Sequence, residues 1–287
     1  MKSKVVMFPG QGSQFEGMGD GLFQTYPEIV AKANAILGFD IKNICLKNPN
    51  DDLTKTIYTQ PALFLVSYLS YLNYLKENPA PDYVLGHSLG EFNALCAAGV
   101  VDFETGLRIV KKRAELMFSI SETSMAAVIG ATHEEMEEHL ATHFPTIDIA
   151  NINTPTQIVI SGPIDDLAKA VDFFEDECLT YIPLNVSGAF HSRYMTPLKM
   201  EFEKVVFEQT LHAPKIPVVA NFTAEFYPND KKGISENMVN QLDGSINWLQ
   251  SVELLLETGG CTFTEVGPGQ ILSNMIKKIQ PVSSGRN

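Results

Sequence analysis

The pentapeptide Gly86-His87-Ser88-Leu89-Gly90 constrains this chain more than any other feature. A short apolar run, Tyr83-Val84-Leu85-Gly86, leads into it, and a good helix former, Glu91-Phe92-Asn93-Ala94-Leu95, follows. A strand that turns sharply into a helix puts the central serine at the apex, and the flanking glycines let the chain pass close to itself there. The helix behind offers free N–H groups and the positive end of its dipole. Ser88 is therefore a candidate nucleophile, and the Leu89 N–H a candidate oxyanion donor.

A similar unit opens the chain, where Val5 to Phe8 runs into Pro9-Gly10-Gln11-Gly12-Ser13-Gln14. Strands feeding glycine-rich turns are typical of α/β architecture. This turn is not a dinucleotide fingerprint, because the third glycine of G-x-G-x-x-G is replaced by Phe15. It serves better as a second backbone donor, from Gln11. Helical patterns cover Tyr26 to Leu37, Pro61 to Leu75 and Phe103 to Phe118, the last with Asp102 as N-cap and Leu107, Val110, Ala114 and Met117 on one face.

From Met125 the rhythm changes. Strands at Ala126–Ile129, Ile147–Asn151, Gln157–Ser161 and Leu179–Leu184 alternate with helices at Glu134–His143 and Asp165–Phe174. That βαββαβ order is the ferredoxin-like motif. The predicted layout is a large α/β domain with a parallel sheet (residues 1–124 and 189–287), interrupted by a ferredoxin-like subdomain (125–188). The remainder reads as helix Thr196–Glu208, strand Pro217–Ala220, helix Trp248–Glu257 and strand Thr262–Val266. The polar tail, Gln280 to Asn287, reads as disordered, either a linker cut from a longer polypeptide or an artificial addition.

A serine nucleophile needs a base. His87 adjoins Ser88 and should point away from it at the turn; His133, His139 and His143 lie on a polar helix. His191 sits in the small-residue turn Ser187-Gly188-Ala189-Phe190-His191-Ser192, where the chain re-enters the large domain, and a cleft between domains is a common binding place. No acid between Ser88 and His191 stands out as an orienting group, so a serine–acid–histidine triad in the hydrolase order is not supported.

A net charge of −13 argues against a nucleic-acid partner, since phosphate backbones need a basic face. Cys45, Cys96, Cys178 and Cys261 are widely spaced, without metal-ligand rhythm, and read as reduced thiols of a cytoplasmic protein. The apolar N-terminal run is too short for a signal peptide, and no run approaches the roughly 20 apolar residues of a membrane span.

Phe8-Pro9-Gly10-Gln11-Gly12-Ser13-Gln14, Thr59-Gln60-Pro61-Ala62, Gly86-His87-Ser88-Leu89-Gly90-Glu91, Gly188-Ala189-Phe190-His191-Ser192 and Glu265-Val266-Gly267-Pro268-Gly269 occur in that order. Together they resemble the malonyl-CoA:acyl carrier protein transacylase family across nearly the whole chain. Gly90 to Leu95 and Asn151-Ile152-Asn153-Thr154-Pro155 are similar to the discrete members that serve polyketide synthases in trans. The resemblance implies malonyl-CoA and an acyl carrier protein as partners, coenzyme A thioester as substrate, and no metal or other cofactor. It implies an α/β-hydrolase-like fold for the large domain, with Ser88 as nucleophile, His191 as base, and Gln11 and Leu89 as oxyanion donors. A backbone carbonyl, expected at Asn247, would orient the histidine in place of an acid.

The resemblance also implies that Arg113 pairs with the malonyl carboxylate, that Phe190 crowds branched acyl groups, and that Gln60, Asn151 and Asn153 line the pocket. A guanidinium fork suits a carboxylate and keeps its charge when buried. An acidic carrier would need local cations to dock on an acidic enzyme, with Arg108, Lys111, Lys112, Arg193, Lys199 and Lys204 as candidates. The competing expectation is an editing hydrolase that uses Ser88 and His191 but admits water; a carboxylate clamp at Arg113 argues against it.

Overall fold

A computed structural model describes residues 2–280 of the chain. It has a mixed α/β fold with two separate sheets. β1 (Ser3–Phe8), β2 (Tyr83–Gly86) and β7 (Cys261–Glu265) form a parallel sheet in the order β2-β1-β7. β3 (Thr123–Ile129), β4 (Asp148–Thr154), β5 (Gln157–Pro163) and β6 (Thr180–Pro183) form an antiparallel sheet in the order β4-β5-β3-β6. The central strand β1 is buried on both faces, with Val5, Val6, Met7 and Phe8 all at 1% exposure or less. This explains why β1 and β2 read as continuous apolar runs, whereas the edge strand β7 alternates Thr262 and Thr264 outward.

The register places the chemistry. Phe8 pairs with Gly86 at the carboxyl ends of β1 and β2, so the loops that follow both strands emerge together at one sheet edge. That edge is where open α/β sheets bind ligands. The His87 N–H donates to the Phe8 carbonyl, extending the ladder one residue into the turn.

The antiparallel sheet is joined to the rest through its edge strand. Ile246 N–H donates to Ala150 O and Ile152 N–H to Ile246 O, a short parallel pairing that leads straight into the Trp248–Glu257 helix. Trp248 is fully buried, and its ring lies 5.4 Å from that of His87.

Among the described residues, four α-helices stand where the sequence pattern predicts none: Leu22–Thr25, Ile41–Lys47, Lys231–Asn240 and Ile271–Ile279. The helix expected from Pro61 begins at Thr56 instead. The Thr59 hydroxyl ties down this added turn by donating to the carbonyls of Leu53 and Lys55, and Pro61 lies inside the helix. Pro217–Ala220 is not a regular strand: Val218 bridges Val84 and Val219 bridges Phe226, one residue each, because the chain switches from parallel to antiparallel partners there. Asp102 caps its helix as expected, accepting from the Thr105 N–H. The tail after Gln280 lies outside the described residues. Among the described residues no helix is long and apolar enough to cross a membrane.

Candidate active site

The turn after β2 is strained and tightly packed. Ser88 has φ 51°, a left-handed conformation that non-glycine residues reach only at a cost of about 1–3 kcal/mol. A Cβ on Gly86 would lie 1.9 Å from the Gly90 carbonyl carbon, and one on Gly90 would lie 2.0 Å from Phe8 O. The two glycines of the motif are therefore dictated by backbone packing. Asn221 clamps the turn: its Oδ1 accepts from the Ser88 N–H at 2.7 Å, and its Nδ2 donates to Gly86 O at 2.7 Å. Gln241 Nε2 donates to Ser88 O at 2.8 Å from the other side.

His191, itself at φ 57°, meets the serine with Nε2 2.7 Å from Ser88 Oγ. Its Nδ1 lies 2.8 Å from the backbone oxygen of Gln241. A carbonyl can only accept, so Nδ1 carries the proton and Nε2 is left to accept from the serine hydroxyl. This corrects the expectation of Asn247, whose carbonyl is taken by the Ser251 N–H and hydroxyl in the first turn of the following helix. Burial, and then the positive charge of Arg113, hold the His191 imidazole down to about 3, so it is neutral at physiological pH.

The backbone N–H groups of Gln11 and Leu89 have no acceptor among the described residues. Both residues line a narrow cavity of about 70 Å³ with Ser88, His191, Arg113, Gln60, Phe190 and Asn151. Met117, Met125, Leu184 and Val186 close it with apolar surface. Asn153 is the exception among the expected pocket residues. It lies two residues from Asn151 on β4, but its Oδ1 meets His87 Nε2 at 2.8 Å, behind the cavity wall. His87 thus points away from Ser88 Oγ, as the turn geometry predicted.

Arg113 is turned fully inward at 1% exposure, although its neighbours Lys111 and Lys112 are partly exposed. Its Nη1 donates to Gln60 Oε1 at 2.8 Å, and its Nη2 to Ser88 Oγ at 3.1 Å and Gln241 Oε1 at 3.0 Å. Its Nε has no partner among the described residues. Burial pushes the guanidinium down to about 9, opposed by Glu91, so it stays charged at neutral pH.

Sequence reasoning missed Asn221, Gln241 and Tyr227. They come from loops and helix ends far along the chain, and only Asn221 stood in a recognisable pattern, the glycosylation-like Asn221-Phe222-Thr223. The proposed docking cations fare differently from the site residues. Arg108, Lys112, Arg193 and Lys199 are ion-paired with Glu104, Glu201, Asp148 and Asp243, and Lys111 donates to the Ile36 carbonyl, which leaves Lys204 without an ion-pair partner among the described residues.

Comparison with known proteins gives the family. The chain is 48% identical over 282 residues to the polyketide biosynthesis malonyl CoA-acyl carrier protein transacylase BaeC of Bacillus velezensis, covering 96% of each. The structure of malonyl CoA-acyl carrier protein transacylase from Burkholderia pseudomallei superposes with a TM-score of 0.95 at 41% identity, covering 99% of this chain and all of that one. A type II polyketide synthase acyl-carrier protein in complex with its malonyl-transacylase matches with a TM-score of 0.92 at 31% identity, over 97% and 93% of the two chains. The acyl transferase domain model matches residues 5–283, and the chain belongs to that family.

Proposed function

We propose that this protein moves a malonyl group from malonyl-CoA to the phosphopantetheine thiol of an acyl carrier protein in polyketide biosynthesis, through an ester on Ser88. The observation that carries the reading is the 2.7 Å contact between Ser88 Oγ and a neutral His191 Nε2, with a buried guanidinium 3.1 Å from the same oxygen. Dyad and cation together suit a nucleophile that receives an acyl group bearing a carboxylate.

In the first half-reaction His191 Nε2 takes the proton as Ser88 Oγ attacks the thioester carbonyl. The oxyanion is received by the N–H groups of Gln11 and Leu89. Collapse breaks the carbon–sulfur bond, and the coenzyme A thiolate leaves with the proton from His191. The carrier's thiol then gives its proton to His191, attacks the Ser88 ester, and the serine recovers the proton as it leaves. Every proton and bond balances without another cofactor.

Arg113 would fork onto the malonyl carboxylate, exchanging its contact with Ser88 Oγ for a charged acceptor; its unpartnered Nε adds to the case. Phe190, buried at the cavity wall, would crowd an α-branch, and the unpartnered Asn151 Oδ1 and Gln60 complete the polar lining. The strand order of β3 to β6, read in local numbering as 4-1-3-2, supports a ferredoxin-like subdomain over 125–188. The parallel sheet with its strand–serine–helix turn supports an α/β-hydrolase-like domain over 1–124 and 189–287. A cytoplasmic location fits a coenzyme A substrate.

Rapid mixing with radiolabelled malonyl-CoA tests the reading. Label should appear on Ser88 within one turnover and pass to an added holo carrier protein. Absence of a Ser88 ester would refute it, and release of free malonate in place of transfer would favour the hydrolase.

A further inference from the structure

Glu91, the residue after the pentapeptide, has no place in the proton path described above, yet it is buried to 1% exposure directly behind Ser88. Three donors converge on its carboxylate. Tyr227 OH donates to Oε1, the Asn221 N–H donates to Oε2 at 2.9 Å, and Gln241 Nε2 donates to Oε2 at 3.3 Å. Two of these three partners are the residues that clamp the serine turn. Gln241 reaches further still, since its Oε1 accepts from Arg113 and its carbonyl from His191.

A carboxylate facing three donors fixes their orientation. Gln241 must keep its NH₂ toward Glu91 and Ser88 O, and so its Oε1 toward Arg113. The amide cannot flip without setting its oxygen against Glu91. We propose that Glu91 is a positioning residue for acyl transfer: its ionised carboxylate locks Gln241 and Asn221, and through them holds Arg113, Ser88 and His191 in register. This rests on the Ser88 acyl-enzyme reading. Recognition of the acyl carboxylate and activation of the nucleophile would then share one support.

A protonated Glu91 must find an acceptor for its own hydrogen, which means turning Tyr227 or releasing a clamp. The titratable and charged groups facing it are Tyr227, from the segment after the Val219–Phe226 bridge, and Arg113, from the Phe103–Phe118 helix. Burial raises the Glu91 carboxyl to about 7, against the lowering effect of its hydrogen bonds and Arg113. His191 titrates far below this range, so a loss of rate near neutrality is not assigned to the base.

The test is the burst of coenzyme A release from malonyl-CoA, followed by rapid quench from pH 5.5 to 8.5 in the wild type, Glu91→Gln and Tyr227→Phe. The wild-type burst rate should rise with pH through about 7. With an NH₂ where the carboxylate accepted, Tyr227 must turn or a clamp release, so Glu91→Gln keeps the shape but neither ionises nor accepts from all three donors. Its burst should be ~10-fold slower at pH 8 and flat across the range, with weaker preference for malonyl over acetyl. Tyr227→Phe removes a donor to the carboxylate and should move the limb to higher pH. A flat wild-type profile, or Glu91→Gln with the wild-type rate and limb, would overturn the proposal. Should Glu91→Gln fail to fold, an unmoved limb in Tyr227→Phe overturns it alone. A wild type with no burst refutes the acyl-enzyme itself, a separate outcome.

Discussion

The Nδ1 of His191 lies 2.8 Å from the backbone carbonyl of Gln241, and no carboxylate takes that place. A carbonyl fixes the tautomer as well as an acid would, but it brings no full negative charge to stabilise an imidazolium. Burial and the nearby Arg113 charge then hold the ring down to about 3. In an NMR titration of the ring nitrogens, His191 should remain neutral from pH 8 to about 4, with Nδ1 protonated. Arg113→Ala removes one of the lowering charges and should raise the value. A wild-type titration at the ordinary histidine position would show that the ring is not buried as described.

Replacing Ser88 by alanine should abolish the labelled ester and lower transfer by ~10³-fold or more, because nucleophile and base act as one unit. His191→Ala should fall to a similar floor, and the double variant should be little worse than either. Additive losses in that cycle, read by steady-state transfer to a carrier protein, would mean that the two side chains work independently.

Arg113 can be separated from the dyad by comparing substrates. Its guanidinium donates to Gln60, Gln241 and Ser88 Oγ. Arg113→Ala should cut kcat/KM for malonyl-CoA by ~100-fold or more while changing acetyl-CoA far less, since only malonyl brings a carboxylate to pair. An unchanged malonyl-to-acetyl ratio would remove Arg113 from acyl recognition.

The turn that carries Ser88 was legible because everything that defines it is local: an apolar run, two glycines and a helix former within a dozen residues. The βαββαβ order was legible for the same reason, through period and turn signals. What holds the turn was not. Asn221 and Gln241 act through amide groups more than 130 positions from Ser88, and nothing in a solvated-looking loop marks an amide as buried. The error at Asn247 has the same origin. Every residue has a carbonyl, so which one faces His191 depends on how the segment between the Lys231–Asn240 helix and Trp248 is folded. Simple alternation would put Asn151 and Asn153 on one strand face, but the register of β4 against β5 shifts between Ile152 and Thr154, and Asn153 bonds His87 instead of lining the cavity.

Gly86→Ala tests the close approach at the turn. The added methyl would meet the Gly90 carbonyl carbon at 1.9 Å and its oxygen at 2.0 Å, both backbone atoms with no room to retreat. The variant should lose about 4 kcal/mol or more in denaturant unfolding, or fail to fold. A loss under 1 kcal/mol would show that strand and helix can separate there without penalty.

Asn221 offers the sharpest test of how the strained serine is held. Its amide accepts from the Ser88 N–H in a part-buried bond and donates to Gly86 O in a buried one, both at 2.7 Å. Asn221→Ala leaves both groups unpaired and should cost about 1–3 kcal/mol of stability. Freed of its clamp, Ser88 can relax from φ 51°, and acyl-enzyme formation should slow by ~10-fold or more. Asn221→Asp has nearly the same shape and keeps the acceptor for Ser88, but it sets an anionic oxygen against Gly86 O where a donor stood. It also brings a second carboxylate close to Glu91, which already accepts from the Asn221 N–H. The aspartate should therefore be worse than the alanine in both unfolding free energy and burst rate. If it matches the wild type, shape alone holds the turn and the paired hydrogen bonds are incidental to it.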